Sequence, residues 1–291
     1  MDTKVPPRAS NDEAPCVFDW KNSATWQQCV VVAMSDLLDT STIQAVATLD
    51  IDDLMCSDSR WLDSAIRLTG KSLKESSFLT LARRLPQCFS FIRAYHACRP
   101  VDTASYYRSG LRSLGPEGLR RLAYSVFVGA APQWFSPSVI DDVIDGMPPY
   151  QDYDHVFVAL DDRHLVRCCG HYLIHGSEYL MAVAVRLESK TGVNCTQILR
   201  QRGTPTIFVC DLPFAMMEEY ETQQLAGIIL NRWFEQLLHN RPMASELNFT
   251  LLSLRKVPSA YIKSHYHPND IPDPHNGRRI YHWTQADCEG S

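Results

Sequence analysis

The sequence predicts an α+β fold, in which an N-terminal helical region precedes a mostly antiparallel β core with inserted helices. In the first part, residues 16–87, apolar side chains recur at the spacing of one helix face, as Trp26, Val30 and Leu37 do. After Cys88 the pattern alternates and becomes rich in aromatic and β-branched residues, which favours strands. Because 45% of the 291 residues are hydrophobic and 21% are charged, the chain has enough apolar side chains for a core.

The elements of the β core follow one another along residues 88–291, which we predict to be one catalytic domain. Strands are predicted in the segments 88–97, 155–160, 171–174, 204–212, 247–254 and 260–267. Helices are predicted in the segments 103–109, 116–128, 137–144, 161–169, 177–190 and 218–239. We expect Gly110 to end the first of these helices and Ser177 to cap the fifth. Residues 1–15 contain three prolines and no apolar period, so we expect a flexible tail there.

Composition and charge limit the classes of function that we expect for the protein. The formal net charge of −5 disfavours a protein that binds nucleic acid or an anionic membrane through bulk charge. No apolar run reaches the ~20 residues of a membrane-spanning helix, and the N-terminus has no secretory signal, so we expect a cytoplasmic protein without membrane contact. The ten cysteines form no C-x-x-C pair, which indicates reduced thiols.

The candidate site depends on three short stretches, each rich in polar and aromatic residues beside a predicted strand. In chain order they are Tyr95-His96-Ala97 followed by Gly110-Leu111, Gly170-His171-Tyr172 followed by Tyr179, and Glu246 followed by Val257-Pro258 and Tyr261-Ile262. Their order resembles the His-Tyr-Glu signature of ADP-ribosyltransferases of the diphtheria-toxin and poly(ADP-ribose) polymerase kind. The resemblance covers residues 90–275, and Ala97 replaces the glycine that is usual after the motif histidine.

The resemblance implies a split, mostly antiparallel β core and a reaction that consumes NAD. ADP-ribose passes from NAD to an acceptor and nicotinamide leaves, while positive charge develops on the ribose. Glu246 is then the catalytic carboxylate that stabilises this charge. His96 binds the adenosine-side ribose, and the backbone of Ala97 binds the carboxamide. Tyr172 and Tyr179 stack on the nicotinamide ring.

Other chemistry is less well supported by the sequence. Cys168, His171 and His175 lie close together, but a zinc site needs spaced ligand pairs and a remote second pair, so we expect no metal. Cys98 has no nearby group that marks it as a thiol nucleophile. Structural explanations also exist for the chosen residues: Tyr172 can pack in a core, and Glu246 can simply be a polar strand start.

The sequence indicates less about the acceptor of ADP-ribose and about binding partners. Six arginines lie in a region with only two acids, namely Arg93, Arg99, Arg108, Arg112, Arg120 and Arg121. This basic region slightly favours RNA or DNA as the acceptor, although a solvated helix face or a protein acceptor explains the same residues. By resemblance we expect an intracellular toxin or defence effector, with an antitoxin as a partner. The alternative is a non-catalytic module that binds a nucleotide or a partner protein.

Overall fold

The computed structural model describes residues 16–48, 60–131, 133–148, 155–239, 242–243 and 245–284. The predicted flexible tail, 1–15, lies outside these residues. The helices are α1 (Gln27–Ala33), α2 (Thr40–Ala47), α3 (Arg60–Leu68), α4 (Ser77–Cys88), α5 (Ala104–Ser109), α6 (Gly115–Ala130), α7 (Pro137–Asp145), α8 (Asp162–Cys168), α9 (His171–Ile174), α10 (Glu178–Thr191), α11 (Cys195–Gln201) and α12 (Glu219–His239). The strands are β1 (Val17–Phe18), β2 (Phe91–Cys98), β3 (Leu111–Arg112), β4 (Val156–Ala159), β5 (Thr206–Pro213), β6 (Thr250–Leu254), β7 (Lys256–Val257), β8 (Ile262–Tyr266), β9 (Asp270–Asp273) and β10 (Arg279–His282).

The described residues form two compact units that are not contiguous along the chain. The first takes the residues up to Ile92 together with Pro213–Met243, and the second takes Arg93–Leu212 together with the residues after Met243. Helix α12 therefore belongs with the N-terminal helices, whereas the sequence predicts a single boundary at residue 88. Local apolar patterns show that a helix exists but not which core it joins.

The first unit has an aromatic core. The rings of Phe18 and Trp20 lie 5.2 and 5.5 Å from the ring of Trp26, and all three side chains are fully buried. Phe234 of α12 lies 4.3 Å from the ring of Trp61 on α3. The helical stripe that contains Trp26 is thus core, as its spacing predicts.

The second unit is built on a sheet in which the strand order is β6-β4-β2-β5-β8. Three of its pairings are antiparallel: Tyr95 of β2 lies opposite Ala159 of β4, β4 pairs with β6, and β5 pairs with β8. The prediction of a mixed fold with mostly antiparallel strands is confirmed. The described strands also form two separate two-stranded sheets, β3 with β7 and β9 with β10.

The helices inserted after β3 form a second core in this unit. Helices α6, α7, α10 and α11 surround a buried cluster that includes Phe127, Phe135, Val183 and Leu187. The sequence predicts α6, α7 and α10 but not the short helix α11, and the packing of α10 against α11 and α6 stabilises these helices by apolar burial.

One predicted strand, 171–174, is wrong, because the segment forms the helical turn α9. The N–H groups of Ile174 and His175 donate to the carbonyls four residues earlier, at 3.0 and 2.8 Å. Leu173 and Ile174 are adjacent and both fully buried, whereas a strand would point them to opposite faces. A short apolar run has no period long enough to separate a strand from a buried helix turn.

Gly110 ends α5, as predicted, with φ of +78°. A Cβ at this position would collide with the carbonyl oxygen of Val257, because β3 pairs with β7 directly after the turn. We expect Gly110→Ala to lower the free energy of unfolding by at least ~1–3 kcal/mol, the usual size of backbone strain at positive φ. Urea-induced unfolding checks this value.

Gly129→Ala is the matched control. Gly129 lies in α6, and a Cβ there would meet no atom within 4 Å. Alanine should therefore stabilise the helix by ~0.5–1 kcal/mol. Equal stability of the two variants would show that the β3–β7 contact is looser than described.

Candidate functional site

The second unit contains a cavity of about 700 Å³, a size within the ~300–1,000 Å³ of small-molecule sites. Its wall is formed by the end of β2, by α5 and the residues after it, by one face of α6, by β4, and by the segment from α9 into α10. Most of the surface of this wall is apolar, and polar side chains such as His96, Asp102 and Glu178 are spread along it. Cavities of this composition suit flat, partly polar ligands.

His96 lies where β2 enters the cavity wall. Its Nδ1 lies 2.8 Å from the carbonyl oxygen of Phe157, which is on the neighbouring strand β4. A carbonyl only accepts, so Nδ1 carries the proton and Nε2 is left as an acceptor. Burial lowers the pKa of His96 below its ordinary value, which keeps the ring neutral at pH 7. Ala97 follows in the same wall.

Tyr172 of α9 and Tyr179 of α10 also line the cavity. The hydroxyl of Ser177 accepts the N–H of Leu180 at 3.3 Å, which caps α10 as predicted and fixes the start of the helix. Tyr179 is only 3% exposed and belongs to the helical core beside the cavity. The ring of Tyr172 lies 4.2 Å from the ring of His171.

Two carboxylates, Asp102 and Glu178, lie in the cavity wall. Asp102 is engaged, since it accepts the N–H of Ala104 at 2.8 Å and pairs with Arg108 at 3.0 Å. Glu178 lies at the first position of α10, where its Oε1 is 3.3 Å from Nε2 of His171. Its side chain is about half exposed, 53%, which leaves the carboxylate accessible to a ligand.

Glu246 is not among the residues of this wall. The strand that it is predicted to open begins four residues later, at Thr250, and Thr250 is the residue of this segment that reaches the cavity. Both carboxylate oxygens of Glu246 lie 2.9 Å from Nε of Arg167, and Oε1 lies 3.1 Å from Nδ1 of His164. The hydrogen bond from Arg167 lowers the pKa of Glu246, so this carboxylate is ionised and paired.

The arginines of the predicted basic region are mostly engaged. Arg93 pairs with Asp211 at 2.9 Å, and Arg120 pairs with Asp141 and Asp145. Arg108 pairs with Asp102. Arg99 donates to the backbone carbonyls of Leu173, Arg200 and Arg202, and its guanidinium lies 5.7 Å from the ring centre of Tyr281. Arg112 lines the cavity and lies opposite Lys256 in the β3–β7 pairing.

Cys98, also in the wall, does not act as a nucleophile at neutral pH. Burial raises the pKa of its thiol to about 12, against which a hydrogen bond from Tyr106 has a smaller effect. A thiol with such a pKa stays protonated, and only the thiolate is strongly nucleophilic.

Sequence reasoning missed one feature of the cavity wall and one of the surroundings of Glu246. One is the carbonyl of Phe157, which sets the tautomer of His96 and which no side-chain motif can indicate. The other is His164, which stands one helical turn before Cys168 on α8 and meets Glu246. The spacing of four residues between His164 and Cys168 was the available signal.

The buried His175, which also lines the cavity, leads us to predict how stability depends on pH. It is 3% exposed, and burial together with the nearby Arg200 lowers its pKa from 6.5 to about 4. The folded protein therefore binds this proton less readily than the unfolded chain does. We expect stability to be constant above pH 6.5 and to fall by on the order of 3 kcal/mol as the pH decreases toward 4.

Unfolding curves of wild type, His175→Asn and His282→Asn between pH 4 and 8 test this. The free energy of unfolding should depend less steeply on pH in His175→Asn than in wild type. The dependence should be unchanged in His282→Asn, whose side chain is 74% exposed. An unchanged slope in His175→Asn would assign the pH dependence to other groups.

The described residues form a mixed α/β protein with mostly antiparallel sheets, and its second unit contains this cavity. No helix among the described residues has the length and apolar character that a membrane span requires. Compared with protein-family models, with curated proteins and with solved structures, the chain gives no match.

Proposed function

We propose that the protein binds NAD in this cavity and transfers ADP-ribose to a macromolecular acceptor, with release of nicotinamide. One observation carries the proposal: His96, Ala97, Tyr172 and Tyr179, chosen from separate stretches of sequence as NAD contacts, all lie in the wall of one cavity. The neutral His96, with Nε2 as an acceptor, suits a ribose hydroxyl. The half-buried ring of Tyr172 suits stacking on a flat aromatic ring, while the buried Tyr179 lies in the same part of the wall.

The reaction breaks the bond between the ribose C1′ and the nicotinamide nitrogen, and the electron pair leaves with nicotinamide. A bond then forms between C1′ and a nucleophilic atom of the acceptor, whose proton passes to a base. A carboxylate close to C1′ stabilises the positive charge that develops on the ribose, and it can also take that proton.

We assign the carboxylate role to Glu178 in place of Glu246. Glu178 lies in the wall with the four residues above, whereas Glu246 does not and is neutralised by Arg167. Asp102, the other acid in the wall, pairs with Arg108. The ADP-ribosyltransferase type of core remains part of the proposal, since the three motifs follow the expected order although the second lies on helices α9 and α10.

The proposal is tested by incubating the purified protein with NAD and quantifying nicotinamide by chromatography. Nicotinamide release above the uncatalysed rate is the expected result. Label in the adenylate part of NAD then shows where ADP-ribose goes when lysate is added. Label that nuclease removes identifies RNA or DNA, and label that protease removes identifies a protein.

The contacts of the arginines bear on whether the acceptor of ADP-ribose is a nucleic acid or a protein. Arg93, Arg108 and Arg120 pair with acids, and Arg99 donates to backbone carbonyls, so these four side chains are engaged within the protein. Arg112 lies in the cavity wall, and its Nε donates to the carbonyl of Ser109 at 2.8 Å. The proposal therefore keeps both acceptor classes, together with an intracellular effector role and an antitoxin partner.

A non-catalytic module that binds NAD or a related nucleotide is the second candidate. The position of Glu246 favours it, because the cavity lacks the carboxylate that the resemblance assigns to catalysis. Calorimetric titration with NAD separates the two candidates. Saturable binding without nicotinamide release, in wild type and with lysate present, would support the binding module.

A further inference from the structure

We propose that His164, Cys168 and Glu246 form a zinc site on the second unit, outside the cavity wall that contains Glu178. One ligand atom of each residue lies within 4.8 Å of the other two. All three side chains are half-buried, so they are accessible to an ion without being fully solvated. No role in the proposed NAD chemistry uses this group, so the inference is independent of that function.

The helix α8 brings the first two ligands together. His164 and Cys168 are four residues apart, so they lie on one face of the helix, one turn from each other. Glu246 comes from the segment before β6, and its Oε1 lies 3.1 Å from Nδ1 of His164. Two separate parts of the chain thus converge on one point.

The buried carboxylate of Asp161 holds these two parts in place. Its Oδ1 accepts the N–H of Arg163 at 3.0 Å, which caps the start of α8. Its Oδ2 accepts the N–H of Leu247, the residue after Glu246, at 2.9 Å. One side chain therefore fixes both the helix that carries His164 and the segment that carries Glu246. Such support from outside the ligand set is what a metal site requires.

The donor set indicates the metal. A thiolate, an imidazole and a carboxylate suit Zn²⁺, whereas Mg²⁺ and Ca²⁺ prefer oxygen ligands only. Binding would replace the Cys168 proton by the metal and release that proton to solvent. Thiolate and carboxylate then balance the two positive charges of zinc. Three protein ligands leave the fourth tetrahedral position for water.

Arg167 supplies the competing explanation, in which Glu246 is only its ion-pair partner. The side chain of Arg167 is 55% exposed, and exposed ion pairs add little to stability. Such a pair explains neither the position of His164 nor that of Cys168. A ligating carboxylate is commonly hydrogen-bonded by an outer residue, and Arg167 suits that position.

Metal analysis of the full chain tests the proposal. Wild-type protein loaded with zinc and then desalted should retain one equivalent, as measured by plasma mass spectrometry. Cys168→Ser should weaken zinc binding by more than the ~10–100-fold that loss of an outer partner costs. Cys169→Ser is the matched control, because Cys169 is the neighbouring half-buried thiol and is not in the group; it should bind zinc as wild type does.

Cobalt substitution gives a measurement that does not depend on how well the variants fold. Wild-type protein with Co²⁺ should show a thiolate charge-transfer band and intense tetrahedral ligand-field bands. A wild-type protein that retains no zinc overturns the proposal. So does a cobalt spectrum without the thiolate band, or a zinc affinity that Cys169→Ser lowers and Cys168→Ser leaves unchanged.

Discussion

Glu178→Gln should lower the rate of nicotinamide release by ~10²–10³-fold, the usual loss when one group that stabilises transition-state charge is removed. Glutamine keeps the size of the side chain and its hydrogen-bonding capacity toward His171, but it removes the negative charge. Because the side chain is about half exposed at 53% and starts α10, the fold should be retained. The effect should fall on kcat more than on KM, since the charge matters only while the bond to nicotinamide breaks.

Two variants make this measurement specific. Glu117→Gln is the matched control: Glu117 lies exposed in the first turn of α6, outside the cavity wall, and its variant should turn over as wild type does. Glu246→Gln tests the assignment that the sequence favours. If Glu246→Gln loses activity with its zinc content unchanged, while Glu178→Gln remains active, the catalytic carboxylate is Glu246 and our assignment is wrong.

The sequence predicts the longer strands of the second unit, β2, β4, β5, β6 and β8, because they are rich in β-branched and aromatic residues, whereas it misses the short strands β3, β7, β9 and β10. β5, for example, is predicted at 204–212 and found at Thr206–Pro213. The turn at 171–174 could not be predicted, since four residues have no readable period and the turn is set by burial of Leu173 and Ile174 against Ile207 and Ile271. Local pattern decides long elements, and tertiary burial decides short ones.

The same limit applies to the candidate site. His96 and Tyr172 were chosen from local motifs, and both line the cavity, His96 from β2 and Tyr172 from the helical turn α9. Glu246 was chosen as a strand start, but the strand begins at Thr250, and the side chain meets Arg167 and His164 from α8. Partners that lie far apart in sequence decide the charge and position of a carboxylate, and one sequence does not contain that information.

His96→Ala should weaken NAD binding by ~1–3 kcal/mol, or ~5–150-fold in Kd, because a buried ribose hydroxyl would lose its partner. The alanine variant also removes the hydrogen bond from Nδ1 to Phe157, so its stability can fall as well. His96→Asn separates the two effects. Its amide can replace the donor near Nδ1 but has no acceptor at the position of Nε2, so it should bind NAD weakly while melting close to wild type.

The pH dependence of NAD binding gives an independent measurement of the same residue. Because burial lowers the pKa of His96, Nε2 should remain an acceptor throughout neutral pH. Calorimetric titrations of wild type should therefore show a constant Kd above pH 6.5 and weaker binding only in more acidic buffer, where the ring becomes protonated. In His96→Asn the affinity should be low at every pH. If His96→Asn binds NAD as wild type does, and His96→Ala loses affinity only in proportion to its lower melting temperature, then His96 supports the β2–β4 pairing and does not contact the ligand.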